Sequence, residues 1–79
     1  MTQRRLLVTG ASGYVSGLLL PALRERYTLT LVDIRETDGQ GAPVEGIRRV
    51  DLTQPDFDAL RPLFRGQDAV LHLGYVPPP

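Results

Sequence analysis

Two features of this chain could do chemistry: a glycine-rich stretch near its start and an acidic residue some way beyond. Residues Thr9 to Gly17 read TGASGYVSG, with glycines at 10, 13 and 17. A chain that turns from a strand into a helix beside a phosphate must bring its backbone close, and a Cβ would block that approach. The amides at the helix start, about Gly13 to Val15, then donate to phosphate oxygens in the positive field of the helix dipole. Alone, such a turn is a weak signal, because many strand-to-helix turns use glycine for geometry only. The second feature strengthens it. Asp33 closes the next apolar run, 23 positions after Gly10, and its carboxylate can accept hydrogen bonds from both hydroxyls of an adenosine ribose. A solvated turn aspartate is the plainer reading of Asp33, and the spacing favours the ribose.

The surrounding pattern supplies elements to position both. Arg5 to Thr9 is a short apolar run, as expected of a strand buried on both faces. Val15, Leu18, Leu19, Ala22 and Leu23 then fall on one helical stripe, closed by Arg24 and Arg26. Pro21 should bend that helix, since it cannot donate to the Gly17 carbonyl. Thr28 to Asp33 is a second strand, residues 34 to 46 form a loop without usable period, and Ile47 to Asp51 is a third strand. Arg48 and Arg49 suit a solvated sheet edge. Thr53, with Asp56 three residues on, resembles a capping box before a second stripe of Phe57, Leu60, Leu63 and Phe64. Asp68 to Leu73 is a fourth strand, with Asp68 read as the residue that opens it. The order β-α-β-loop-β-α-β implies a parallel sheet with right-handed crossovers.

Composition removes several function classes. At 79 residues the chain is one domain at most. A chain of that size buries only about 60% of its unfolded surface. Nine basic residues, all Arg, balance nine acidic ones, which argues against a nucleic-acid arm or a polybasic membrane patch. Without Cys there is no disulfide scaffold, zinc knuckle or thiol nucleophile, and the one His, His72, cannot build a metal site alone. No apolar run could span a bilayer and no signal peptide opens the chain, so a cytoplasmic location is expected. There is also no Lys. Catalysis that needs one cannot be completed within these residues.

Taken together, TGASGYVSG, LVDIR, DLTQP and DAVLHLG resemble the start of an extended short-chain dehydrogenase/reductase. That is the family of NAD-dependent sugar epimerases, dehydratases and related oxidoreductases. The resemblance runs from Arg4 to Tyr75 and is specific for the fold, not for the substrate. The family pattern TGxxGxxG maps onto Thr9, Gly10 and Gly13, but its third glycine falls on Ser16, with Gly17 one position late. Ser16 should move the helix slightly outward, and Ser16→Gly should be tolerated where Gly13→Val is not. The resemblance implies that Gly10, Ser12, Gly13, Tyr14 and Val15 border the pyrophosphate and that Asp33, Ile34 and Arg35 border the adenosine ribose. Asp51 and Leu52 would hold the adenine, although Asp51 also reads as a neighbour of the helix cap. Leu73 and Gly74 would line the cofactor groove. Tyr75 departs from the family's small residue and would contact or shield the cofactor. The His72-Leu73-Gly74 variant is similar to the uronate dehydrogenase branch. His72 itself reads better as a strand residue with a local hydrogen bond than as a general base.

The fold implied is a Rossmann-type doubly wound parallel sheet with strand order 3-2-1-4, residues 1–79 forming the N-terminal part of a longer NAD(P)-binding domain. Its fourth strand would be an open apolar edge here and central in the complete fold. NAD is expected over NADP, because Asp33 would repel a 2′-phosphate, although the nearby Arg35 could accept one or stack on the adenine. The family's catalytic Ser or Thr and Tyr-x-x-x-Lys cannot be assigned. No Lys follows Tyr14, Tyr27 or Tyr75. The expected function is the dinucleotide-binding segment of an NAD-dependent sugar epimerase, dehydratase or related oxidoreductase. A non-enzymatic dinucleotide sensor on the same scaffold is the competing class. A sugar or sugar derivative is the expected substrate, with no nucleic acid, membrane or metal, and a homodimer would form through later residues.

Overall fold

The computed structural model describes residues 3–38, 40–51 and 56–74. Leu52, Thr53 and Tyr75 lie outside the described residues. The elements are β1 (Arg5–Thr9), α1 (Tyr14–Arg26), β2 (Thr28–Asp33), β3 (Ile47–Arg49), α2 (Phe57–Phe64) and β4 (Ala69–His72). All three strand pairings are parallel, and the order across the sheet is β3-β2-β1-β4. This is the expected doubly wound arrangement.

Strand position explains strand composition. β1 is flanked on both sides, by β2 and by β4, and its last four residues are buried. That is why RLLVT is a continuous apolar run. In register, Leu6 and Val8 share a face with Leu29, Leu31 and Leu71, while Leu7 and Thr9 share the other with Thr30, Val32, Val70 and His72. β3 is an outer strand, and its Arg48 and Arg49 are exposed, as a sheet edge allows. It ends at Arg49 and not at Asp51. The β1–β4 pair opens on Asp68, whose amide donates to the Arg5 carbonyl at 2.8 Å and whose carboxylate accepts from the Arg5 amide at 2.7 Å.

Helix α1 corrects the expected stripe. Val15, Leu18 and Leu19 are exposed; the buried residues are Ser16 and Leu20, with Leu23 and Tyr27 packed behind them against Leu6, Val8, Ala11 and Leu31. The inward face is therefore rotated by one residue from the row of apolar side chains. The reason is local. The Ser16 hydroxyl donates to the Gly10 carbonyl at 2.7 Å, so the helix meets the turn through a small polar side chain. Ser16 is 1% exposed. It ties the helix to the turn. The helix runs on through Pro21.

Helix α2 also differs in detail. Its N-cap is Asp56, whose Oδ1 accepts from the Asp58 and Ala59 amides at 3.0 and 3.3 Å. The expected cap, Thr53, lies outside the described residues, and Asp56 performs the role itself. Of the apolar stripe only Leu60 is buried, while Phe57 and Phe64 are exposed. Past the helix, Gln67 donates through Nε2 to Thr30 Oγ1 and to the Leu63 carbonyl, which ties this end of α2 to the Thr30 face of the sheet.

Candidate functional site

The site begins at the end of β1, where Gly10 has φ +67°. Only glycine adopts that conformation without strain. A Cβ there would lie 2.7 Å from the main chain of Leu73 and Gly74. The close approach that demands glycine at position 10 is thus to the end of β4. The same junction is tied by the Thr9 hydroxyl, which accepts from the Gly74 amide at 3.0 Å and shares a 2.6 Å hydrogen bond with His72 Nδ1. The local role read for His72 is present.

From Gly10 the chain turns at once. The Gly13 amide donates to the Gly10 carbonyl at 3.0 Å, and Gly13 is the N-cap of α1. It has extended φ and ψ, so conformation does not demand glycine here. A Cβ on it would meet only the Gly10 carbonyl, at 3.2 Å. No side chain caps α1 and no acidic residue stands in its first turn. The first-turn amides have no intrahelical partner by construction, so this helix start presents bare donors and the positive end of the dipole.

Asp33 joins this turn from the end of β2. Its Oδ2 accepts from the Ser12 amide at 2.9 Å and from the Ser12 hydroxyl at 2.7 Å; its Oδ1 accepts from the Ile34 amide at 2.6 Å. Burial pushes the carboxyl up, but the Ser12 hydroxyl and amide and the Ile34 and Arg35 amides outweigh it, holding Asp33 below its ordinary value of 3.8. It is an anion at neutral pH.

Beside this clamp lies a groove of about 540 Å³, bounded by the glycine turn and the start of α1 on one side and by Asp33 to Arg35, Thr37, Asp38 and Gln40 on the other. It brings together Ser12, Gly13, Tyr14, Asp33, Ile34 and Arg35, six of the residues expected to contact a cofactor. Gly10 sits behind the turn, exposed Val15 lies outside the lining, and so do Asp51, Leu73 and Gly74. Leu73 and Gly74 close against Gly10. The far wall was not legible as a site. It includes Thr37, Asp38 and Gln40, in a loop that folds back on itself through a Thr37–Pro43 bridge. Asp38 makes that fold by accepting from the Gln40 and Ala42 amides at 2.8 and 3.0 Å. The available signal was the turn-forming run Asp38-Gly39-Gln40-Gly41. Among the described residues no cluster of His, Asp or Glu could hold a metal ion, and no helix is long and apolar enough to cross a membrane.

The sequence profile of the NAD dependent epimerase/dehydratase family matches residues 6–78. The chain belongs to that family. One relative is an L-arabinose 1-dehydrogenase (NAD(P)(+)) of Haloferax volcanii, 35% identical over 75 residues, which are 95% of this chain and 27% of the relative. A similar solved structure is the uronate dehydrogenase of Agrobacterium tumefaciens, with a TM-score of 0.71 and 32% identity over 98% of this chain and 28% of that one. The chain thus spans about a quarter of the length of the proteins it matches. Both are sugar dehydrogenases, and the cofactor class that goes with the family is a nicotinamide dinucleotide.

Proposed function

We propose that this chain is the dinucleotide-binding segment of a nicotinamide-dependent sugar oxidoreductase acting in the cytoplasm, with NAD preferred over NADP. One observation carries the reading: an ionised carboxylate, Asp33, and an uncapped helix start at Gly13 face the same groove. These residues fit the cofactor. The amides at Tyr14 and Val15 suit a pyrophosphate, because no side chain caps them and no acidic residue stands in the first turn of the helix. Asp33 suits the ribose hydroxyls, since its anionic oxygens accept hydrogen bonds while repelling a 2′-phosphate. Asp51, Leu52, Leu73, Gly74 and Tyr75 are assigned to the adenine and the remainder of the cofactor by family resemblance. The bound nicotinamide supplies hydride transfer. This segment binds and orients it, and residues outside the 79 described by this sequence move the proton at the substrate carbon.

Within the family, sugar oxidation is favoured over epimerisation or dehydration. The variant His72-Leu73-Gly74 and the two dehydrogenase relatives support it. An aldose or a uronate is the substrate class to try first. Calorimetric titration of the whole protein with NAD and NADP, repeated on Asp33→Ala, tests the cofactor. The reading expects NAD to bind more tightly in the parent and the preference to collapse in the variant. Tighter NADP binding by the parent would refute the preference for NAD. Reduction of NAD in the presence of aldoses and uronates tests the reaction, and turnover with neither class would sink the substrate proposal.

A further inference from the structure

We infer that Ser12 is a positioning residue for cofactor choice: by locking the Asp33 carboxylate onto the glycine turn, it makes the groove accept a free 2′-hydroxyl and reject a 2′-phosphate. The inference rests on the dinucleotide reading above.

The geometry singles out Ser12. Two of its donors, amide and hydroxyl, converge on one oxygen of Asp33 across 21 residues of sequence. The Ile34 amide bond to the other oxygen comes from the next residue along, so it can follow the carboxylate through small rotations. Ser12 cannot follow, because it is buried in a turn held by the Gly13-to-Gly10 hydrogen bond. The two Ser12 bonds therefore fix the plane of the carboxylate relative to the helix start.

That fixed plane decides what the groove can hold. Arg35 lines the same groove and is the cation that could pair with a 2′-phosphate. A clamped Asp33 stands beside that position with its negative charge, so the phosphate meets repulsion before it can gain from Arg35. A carboxylate free to turn about its side-chain bonds could swing aside. Ser12→Ala keeps the amide donor and loses the hydroxyl, removing one of the two long-range bonds.

The expected result is a loss of discrimination more than a loss of binding. In Ser12→Ala of the whole protein, the Kd for NAD rises by about three- to tenfold, because binding must now order an Asp33 side chain that the parent already holds in place. The Kd for NADP changes less, because the weakened orientation is offset by reduced repulsion. The ratio of the two Kd values therefore falls. Ser12→Thr, which keeps the hydroxyl, restores the parent ratio. On an Asp33→Ala background, Ser12→Ala leaves the ratio where it was, since there is no carboxylate left to position. Titrations with NADH and NADPH, followed by nicotinamide fluorescence, measure all of these, and the thermal midpoint without cofactor shows that each variant is folded. An unchanged ratio in folded Ser12→Ala overturns this inference and leaves the dinucleotide reading standing. An equal fall in ratio from Ser12→Ala with and without Asp33 also overturns it. Failure of the parent to bind either dinucleotide sinks the reading beneath it. If Ser12→Thr does not fold, the Asp33 background alone decides.

Discussion

Helix α2 begins at Asp56, whose carboxylate fills two of its own first-turn amides and which is followed by acidic Asp58. Helix α1 begins at Gly13, which offers no side chain, and no acidic residue follows in the first turn. The two starts solve the same problem of unpaired amides in opposite ways. In α2 the protein satisfies its donors internally and places negative charge where the dipole favours it. In α1 it leaves them open beside a groove that also holds an anionic carboxylate. The difference teaches that glycine at the N-cap leaves a helix start uncapped, which is the feature that the proposed dinucleotide reading uses.

Four substitutions sharpen or break this contrast. Gly10→Val should have the largest effect. It forces a branched side chain into a positive φ and into the Leu73–Gly74 main chain, at a cost above about 3 kcal/mol. Denaturant unfolding of the whole protein should show the loss, and wild-type stability would mean that β4 does not pack here.

Gly13→Asp would give α1 the kind of start that α2 has. The new carboxylate caps the helix, and its Cβ needs only a small shift of the Gly10 carbonyl, so stability should change by less than about 1 kcal/mol. Binding should fall by about a hundredfold or more, since an anion now occupies the phosphate position. Retained NAD affinity in a folded Gly13→Asp protein would break the comparison outright.

Ser16→Gly, expected from the sequence to be harmless, should destabilise by about 1–2 kcal/mol. It removes the hydrogen bond to the Gly10 carbonyl and adds glycine to a helix interior. A midpoint equal to the parent's in chemical denaturation would show that the bond contributes nothing. Asp56→Ala is the smallest change, a loss of about 1 kcal/mol from removal of the cap. Its NAD affinity should match the parent's, because α2 starts away from the groove. A change in affinity would show that the two helix starts are coupled.

Much of this fold was legible because β1 is sandwiched between neighbours: a strand buried on both faces needs an unbroken apolar run, and RLLVT is one. The strand order followed from that and from the family resemblance. The phase of α1 was missed because counting apolar residues cannot register a buried serine. Ser16 had been placed where the family packs its helix against the first strand, yet it was absent from the proposed stripe. That conflict was the available signal. Spacing alone singled out Asp33, and Ser12 was named only with the glycine turn; the bond between them was not legible, since a contact across 21 residues leaves no local pattern. The far wall of the groove was missed for a related reason: a loop organised by one aspartate has no periodicity to read.

The main chain of Leu73 and Gly74 fills the place that a Gly10 side chain would take, so the wall behind the glycine turn comes from roughly 63 residues further along the chain. Local pieces such as α1 can form early, whereas contacts of this separation form late and slowly. During synthesis from the N-terminus, β1, α1 and β2 emerge first. The turn beside them takes its final shape only when β4 reaches the sheet. The shape of the glycine turn is thereby tied to folding order, and a partly made chain exposes that turn before its rear wall is in place.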